Sequence, residues 1–136
     1  MAYLKCLGST PSSGSVTEEV LWENPDDTTS FGTTDISLND NISNYTALRF
    51  EYKLQASDNS GTLNSETYPV DQLITYTGDN AYFAGSLVSV LNDIWYMRYV
   101  KYIDDTTITI SQGIRLWASN SYSQTAAIPV RIVGIV

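Results

Sequence analysis

The stretch YTALRFEYKLQA, residues 45–56, decides the fold class because its apolar and polar side chains alternate strictly. One face carries Leu48, Phe50, Tyr52 and Leu54, and the other carries Ala47, Arg49, Glu51, Lys53 and Gln55. A period of two residues is typical of a β-strand that is buried on one side. We therefore predict an antiparallel strand here, with its charged face in solvent.

The same two-residue period recurs on both sides of this stretch, from residue 18 to the end of the chain. It predicts further strands at residues 18–23, 34–38, 69–77, 81–91, 94–103, 106–112, 114–119 and 128–136. Short clusters of Asn, Asp, Gly and Pro separate these segments, while Tyr, Thr, Ile and Val fill them. No helix start signal precedes a sustained 3.6-residue pattern. The sequence thus predicts an all-β protein, an antiparallel β-sandwich that is jelly-roll-like.

The 136 residues of the chain are the length of one domain. Residues 8–17 are small and polar, as expected of a flexible leader. The residues before them are unusually apolar for a free tail, namely Tyr3, Leu4, Cys6 and Leu7. We predict that they dock on the domain itself or anchor the chain to another protein. The predicted division is an N-terminal anchor and leader at residues 1–17 and a β-sandwich domain at residues 18–136.

Composition excludes several classes of function. The chain has no histidine and one cysteine, which removes imidazole catalysis, an intramolecular disulfide and Cys/His zinc sites. With 7 basic and 15 acidic residues the net charge is −8, which disfavours nucleic acid and anionic membranes as partners. No apolar run approaches the roughly 20 residues of a membrane span, and the N-terminus lacks a signal-peptide pattern. We predict no cofactor.

Neighbouring carboxylates occur at residues 18–19, 26–27 and 104–105. A glycosidase needs two carboxyl groups about 5 to 10 Å apart across a cleft, whereas adjacent strand residues point to opposite faces. We therefore expect no enzyme. Residues 39–41 and 58–61 offer the oxygen ligands that Ca²⁺ prefers, but without the spacing of a helix–loop–helix calcium site. Turn formation explains both loops, and no metal site is predicted.

Several predicted strands are apolar on both faces, although each strand of a two-sheet sandwich has only one inner face. The side chains on their second faces include Trp95, Met97, Tyr99, Phe83, Val133 and Ile135. A symmetric oligomer would cover these side chains on every copy at once. We predict that they form the interface of a homo-oligomer, with a loop or the N-terminal segment as the alternative cover.

An aromatic and polar cluster near residue 117 suggests a sugar-binding site. If Ile114, Leu116 and Ala118 face the core, Arg115 and Trp117 point outward, and Asn120 and Tyr122 follow in a polar loop. Sugar rings stack on flat aromatic side chains while polar groups bind their hydroxyls. The candidate ligand-binding residues are thus Trp117, Tyr122, Arg115 and Asn120, and a subunit contact is the alternative explanation.

Three groups of short motifs follow one another along the chain. They are LWENP (residues 21–25) with Phe31, ISL (36–38) and YTALRFEYK (45–53); MRYV (97–100) with TITI (107–110) and Gly113; and IPVRIVGI (128–135). Together they resemble the β-sandwich surface domains of bacteriophage and prophage virion proteins. These include tail-fibre and baseplate knobs and small head-decoration or head-fibre proteins.

This resemblance implies a non-enzymatic virion protein, made in the host cytoplasm, that serves in adhesion or capsid decoration. It also implies a homo-oligomer, commonly a trimer, whose distal loops contact host-surface glycans. The short leader, without a shaft or coiled coil, favours a separate small protein that residues 1–7 attach to another virion protein. The alternative function is a carbohydrate-binding, lectin-like module that is not part of a virion.

Overall fold

The computed structural model describes residues 17–75, 84–116 and 120–136, and of residues 120–122 it describes the backbone. In this part of the chain the strands are β1 (Glu18–Glu23), β2 (Thr34–Ser37), β3 (Ala47–Gln55), β4 (Asn64–Pro69), β5 (Gly85–Leu91), β6 (Ile94–Asp104), β7 (Thr107–Ile110), β8 (Ile114–Leu116), β9 (Asn120–Tyr122) and β10 (Ala126–Ile135). A short helix, α1 (Val70–Thr75), follows β4, and one turn of 3-10 helix covers Ile42–Asn44. The prediction of an all-β protein is confirmed.

The strands form two antiparallel sheets that pack against each other, which confirms the predicted sandwich. The four-stranded sheet has the order β1-β10-β3-β4. In the six-stranded sheet, β6 pairs with β5 on one side and with β7 and β8 in succession on the other. Strand β2 extends the sheet beyond β7, and β9 extends it beyond β8. The jelly-roll connectivity stays a prediction, as does the division at residue 17.

The core lies between the sheets, and β3 contributes its apolar face as the alternation predicts. Leu48, Phe50 and Tyr52 are completely buried. They belong to one hydrophobic cluster with Val100 and Ile108 of the six-stranded sheet. Burial of such side chains removes apolar surface from water and is the main stabilising contribution to this fold.

The strand predicted at residues 69–77 is wrong in its described part, because β4 ends at Pro69 and α1 begins at Val70. Proline fixes its own φ near the helical value and lacks an N–H, so it suits the entry to a helix. Val70 and Leu73, three positions apart, are the buried residues of α1. This spacing places them on one helix face, and it is the signal that the two-residue interpretation missed.

A buried arginine joins the strands to the loops at one end of the sandwich. Arg98 of β6 is completely buried, and its Nε donates to the carbonyl oxygen of Ala126 at 2.8 Å. Its Nη1 donates to the carbonyl oxygens of Phe31 (2.7 Å) and Ser111 (2.9 Å), and its Nη2 to that of Gln124 (3.1 Å). Burial lowers the pKa of Arg98 to about 10. One planar guanidinium thus satisfies four carbonyl groups.

Candidate functional site

The outer face of β5 and β6 carries apolar side chains that no other layer of the described chain covers. Tyr96 and Arg98 of β6 are buried, so the residues that alternate with them point away from the core. Register pairs Trp95 with Val90 and Met97 with Val88, and directly paired residues of antiparallel strands share a face. These four side chains therefore lie together on the outside.

Strand β8 widens this apolar surface, because Ile114 pairs with Met97 and Leu116 with Trp95. Both side chains are partly buried on the outer face, so the prediction that they face the core is wrong. The reason is an extra residue at the junction of β7 and β8, which exchanges the two faces. Three residues lie between Ile110 and Ile114, but only two lie between their partners Val100 and Met97.

We call the resulting surface the outer patch; it consists of Val88, Val90, Trp95, Met97, Tyr99, Ile114 and Leu116. The exposed fraction is 52% for Val90, 50% for Trp95 and 37% for Tyr99. The sequence of β5, GSLVSVL, contains no charged residue. A contiguous exposed apolar surface of this kind marks an interaction site in a soluble domain.

The other predicted interface residues do not join the outer patch. Val133 is only 3% exposed, so it presents almost no surface to a partner. It lies on β10 beside Arg49 of β3 and Val20 of β1, and long side chains such as arginine cover apolar neighbours with their aliphatic stems. Ile135, on the same strand, is half-buried. Phe83 lies outside the described residues.

The predicted ligand residues do not share one face. Arg115 pairs with the core-facing Tyr96, so the prediction that it points away from the core is wrong, for the same one-residue shift that turns Ile114 and Leu116 outward. Arg115 is exposed, and its Cζ lies 5.8 Å from the centre of the Tyr96 ring, as in a cation–π contact. In the backbone register Asn120 pairs with Leu116 and Tyr122 with Ile114. The predicted loop at 120–122 is therefore a strand, β9. Trp117 lies outside the described residues.

The predicted particle anchor also lies outside the described residues. It consists of Tyr3, Leu4, Cys6 and Leu7, all within residues 1–16. The anchor therefore stays a prediction from the sequence.

The outer face of the four-stranded sheet has the opposite character, since ion pairs cover it. Arg49 donates to both carboxylate oxygens of Glu18 at 2.9 Å and to Glu51 at 2.9 Å, and Glu51 also pairs with Arg131. The hydrogen bond from Arg49 lowers the pKa of Glu18. These charges are already paired within the chain, and burying them under a partner would cost desolvation energy. This face is accordingly a poor docking surface.

Tyrosine hydroxyls from the four-stranded sheet form hydrogen bonds with backbone groups of β5. The Tyr68 hydroxyl donates to the carbonyl oxygen of Ser86 at 2.7 Å and accepts from the Ser86 N–H at 3.0 Å. The Tyr52 hydroxyl lies 2.8 Å from the carbonyl oxygen of Val88. In an antiparallel strand, backbone groups that do not bond the neighbouring strand point to the free edge. These hydroxyls therefore occupy edge groups of Ser86 and Val88, which disfavours strand addition at β5.

An open groove of about 320 Å³ lies at the other side of the sandwich, with Asp27, Lys53, Asp58 and Leu63 among its lining residues. The buried Lys53 Nζ lies 3.0 Å from the carbonyl oxygen of Asp27, 3.2 Å from its Oδ1 and 3.2 Å from the carbonyl oxygen of Ala56. An ammonium group has three N–H donors, so these contacts use all of them. Lys53 thus holds the loop that contains Asp27 and has no donor left for a ligand.

Acidic residues of the predicted pairs and loops serve local turns, while Glu18 and Asp27 form ion pairs with Arg49 and Lys53. Asp26 accepts from the Thr28 N–H at 3.0 Å, Asp104 from the Thr106 N–H at 2.9 Å, and Asp58 from the Ser60 N–H at 2.9 Å. Among residues 17–75, 84–116 and 120–136, no group of three or more acidic, cysteine or histidine side chains is placed to hold a metal ion. Nor does the described chain contain a helix long and apolar enough to cross a bilayer.

The geometry defines a class of protein: an antiparallel β-sandwich with one ion-paired outer face and one apolar outer face. No protein-family model matches the sequence, and no curated protein matches it either. Because a fold of this kind hosts many functions, the function has to be argued from the apolar face.

Proposed function

We propose that the protein is a non-enzymatic structural protein of a phage virion surface that assembles as a homo-oligomer through the outer patch. The observation that carries the proposal is the exposure of Val90, Trp95 and Tyr99 on the outer face of β5 and β6, where β5 has no charged residue. Removing apolar surface from water is the main favourable contribution to most protein association. The resemblance of the LWENP, MRYV and IPVRIVGI motifs to phage surface domains supports the virion location.

The role within the particle is capsid decoration or tail and baseplate adhesion. The apolar residues near the N-terminus, Tyr3, Leu4, Cys6 and Leu7, attach the chain to a second virion protein. The polar leader that follows them leaves the sandwich free to present its loops. The net charge of −8 keeps the assembled copies soluble and away from nucleic acid.

The test of the virion location is to look for the chain in particles purified from the strain that carries its gene. After induction, mass spectrometry of gradient-purified particles should find the chain at a fixed ratio to the major capsid protein. Deletion of residues 1–15 should leave the chain folded by circular dichroism but absent from the particles. A chain that stays entirely in the soluble fraction would contradict the proposal.

A carbohydrate-binding module is the second candidate function, favoured by the exposed Arg115 of the β8–β9 hairpin, which pairs in register with Ser121. A glycan array with the purified chain tests it. Binding that Trp117→Ala abolishes and the matched change Trp95→Ala preserves would support a sugar site at this hairpin. An array without any bound glycan would leave only the structural role.

A further inference from the structure

We infer that three loops at one end of the sandwich open and close as one unit around Arg98, and that this unit holds β8 in the outer patch. The loops are residues 31–33, 111–113 and 123–126, and we call them the Arg98 unit. The unit itself goes beyond the proposed function, whereas its effect on assembly rests on that function.

Arg98 binds all three loops of the unit at once. Its guanidinium donates to the carbonyl oxygens of Phe31, Ser111, Gln124 and Ala126 over distances between 2.7 and 3.1 Å. In the described part of the chain no carboxylate pairs with Arg98, so these carbonyl groups compensate its buried charge. A loop that opened alone would either leave a buried N–H unpaired or admit water that competes for the other carbonyl groups.

The loop at residues 123–126 forms backbone hydrogen bonds to both of the other loops. The Phe31 N–H donates to the Gln124 carbonyl oxygen at 2.8 Å, and the Ser123 N–H donates to the Gly113 carbonyl oxygen at 2.9 Å. These bonds do not involve the guanidinium, so they are a second, independent connection between the loops.

A side chain makes the remaining connection, between residues 31–33 and 111–113. The Gln112 N–H donates to the Thr33 hydroxyl at 3.1 Å. Each loop is thus bonded to both of the others, and no loop can leave without breaking hydrogen bonds of the other two. Segments linked in this way are expected to open together, as one cooperative part of the native structure.

The Arg98 unit holds β8 because it fixes both ends of the β8–β9 pair. Residues 111–113 lead directly into β8, and residues 123–126 lead from β9 into β10. Strand β8 has three residues, and three residue pairs join it to β6. An isolated pairing of so few residues is marginal in water. The outward positions of Ile114 and Leu116 therefore depend on the closed unit.

Assembly through the outer patch is coupled to the Arg98 unit for this reason. A copy with β8 out of place offers an incomplete patch, so association favours the closed unit. A partner that binds one of two states shifts the equilibrium toward that state. The unit should consequently open less often in assembled copies than in single copies.

Hydrogen exchange of the full chain, followed residue by residue by NMR, tests the unit. In the wild type the amides of Phe31, Gln112 and Ser123 should share one free energy of opening, below that of the β3 amides. Thr33→Val removes the hydroxyl that accepts from Gln112. Phe31 and Ser123, which do not contact that hydroxyl, should then exchange about fivefold faster, as expected for the loss of one hydrogen bond.

Thr46→Val is the matched control, since it removes a hydroxyl that donates to the carbonyl oxygen of Ile135 at 3.1 Å, outside the unit. It should leave the exchange of Phe31 and Ser123 unchanged. Faster exchange at Gln112 alone in Thr33→Val would show that the loops open independently and would overturn the inference. A shared free energy equal to that of the β3 amides would also overturn it, because the loops would then open only with the whole domain.

The same exchange at rising chain concentration, with light scattering of each sample, separates the inference from the proposed function. Where the mass exceeds the 15.1 kDa of one chain, Phe31 and Ser123 should exchange more slowly. An oligomer without this slowing would overturn the coupling between β8 and the outer patch. A monomer at millimolar concentration in which Thr33→Val still accelerates both amides would support the unit and overturn the assembly in the proposed function.

Discussion

Arg98 shows how one charged side chain can be accommodated inside a β-sandwich, at the end where its loops meet. Its guanidinium reaches four carbonyl oxygens, those of Phe31, Ser111, Gln124 and Ala126, and the Phe31 ring lies 5.3 Å from its Cζ. Alternation along β6 places position 98 on the inner face, but nothing in the sequence shows which loops supply the acceptors. Those loops are distant in sequence, so their meeting depends on the tertiary fold.

We expect Arg98→Lys to destabilise the protein by about 3 kcal/mol or more. A lysine ammonium cannot span four carbonyl groups, and each buried acceptor left unpaired costs roughly 1–3 kcal/mol. Urea unfolding measures the effect. The matched change Arg131→Lys, in a partly exposed ion pair with Glu51, should cost less than about 1 kcal/mol. Equal losses in the two variants would contradict a special role for Arg98.

The junction of β7 and β8 is the element that determines which side chains reach the outer patch. Gly113 lies there, and a Cβ at this position would collide with the carbonyl oxygen of Ser123 and approach that of Ala126 to 2.9 Å. The close passage of the two backbones leaves space only for glycine. The junction thus fixes the one-residue shift that turns Ile114 and Leu116 outward.

Gly113→Ala is accordingly expected to cost about 3 kcal/mol or more in the free energy of unfolding, because the obstructing atoms belong to backbone that cannot move aside. Gly32→Ala is the control, since the nearest atom to its added Cβ is the side-chain nitrogen of Gln124 at 4.0 Å. That change should alter stability by no more than about 1 kcal/mol in either direction. Thermal unfolding of both variants provides the comparison, and similar losses would argue against a tight junction.

The elements differ in how well the sequence predicts them. The strand at residues 45–56 is predicted well because one of its faces is apolar and the other charged, but Glu51 and Lys53 of the charged face are buried in ion pairs and not in solvent. Strand β4 escapes prediction since its sequence, NSETYP, is almost entirely polar and its chief anchor is Tyr68. The exposure of Trp95 and Tyr99 follows from alternation. The outward position of Ile114 does not follow from alternation. The extra residue between β7 and β8 exchanges the inner and outer faces, and no residue type in the sequence indicates it.

At the scale of the whole molecule, the two outer faces of the sandwich differ in polarity. Paired charges cover the four-stranded sheet, while the six-stranded sheet exposes the outer patch. The difference between the two faces could not be predicted from composition, because composition does not depend on where the residues lie in the structure. It follows only when the registers of β3, β6 and β10 are known.

Stability of the whole molecule should fall in alkaline solution. Burial raises the pKa of Tyr45 and of Tyr52 to about 12, and the hydrogen bond to Asp105 raises that of Tyr102 to about 12. Unfolded tyrosine ionises near pH 10, so the stability from these shifts is complete below about pH 10 and is lost as the pH rises through 12. The lowered pKa of Arg98 makes stability rise with pH, but it is a single group and the three tyrosines have the opposite effect.

Urea unfolding at pH 8, 10 and 11.5 measures this dependence. The free energy of unfolding should be lower at pH 11.5 than at pH 10, and Tyr52→Phe should make the decrease smaller. A free energy that stays level or rises over this interval would contradict the assignment of the raised pKa values.

The hydroxyls of Tyr52 and Tyr68 along β5 have a consequence for crowding. When many copies are held close together, the edge strand of one copy can pair with that of another, and the sheets then join edge to edge into fibrils. An uncharged edge strand such as GSLVSVL is the most susceptible. The hydroxyls of Tyr52 and Tyr68 already bond edge groups of Ser86 and Val88, so we expect them to hinder such growth.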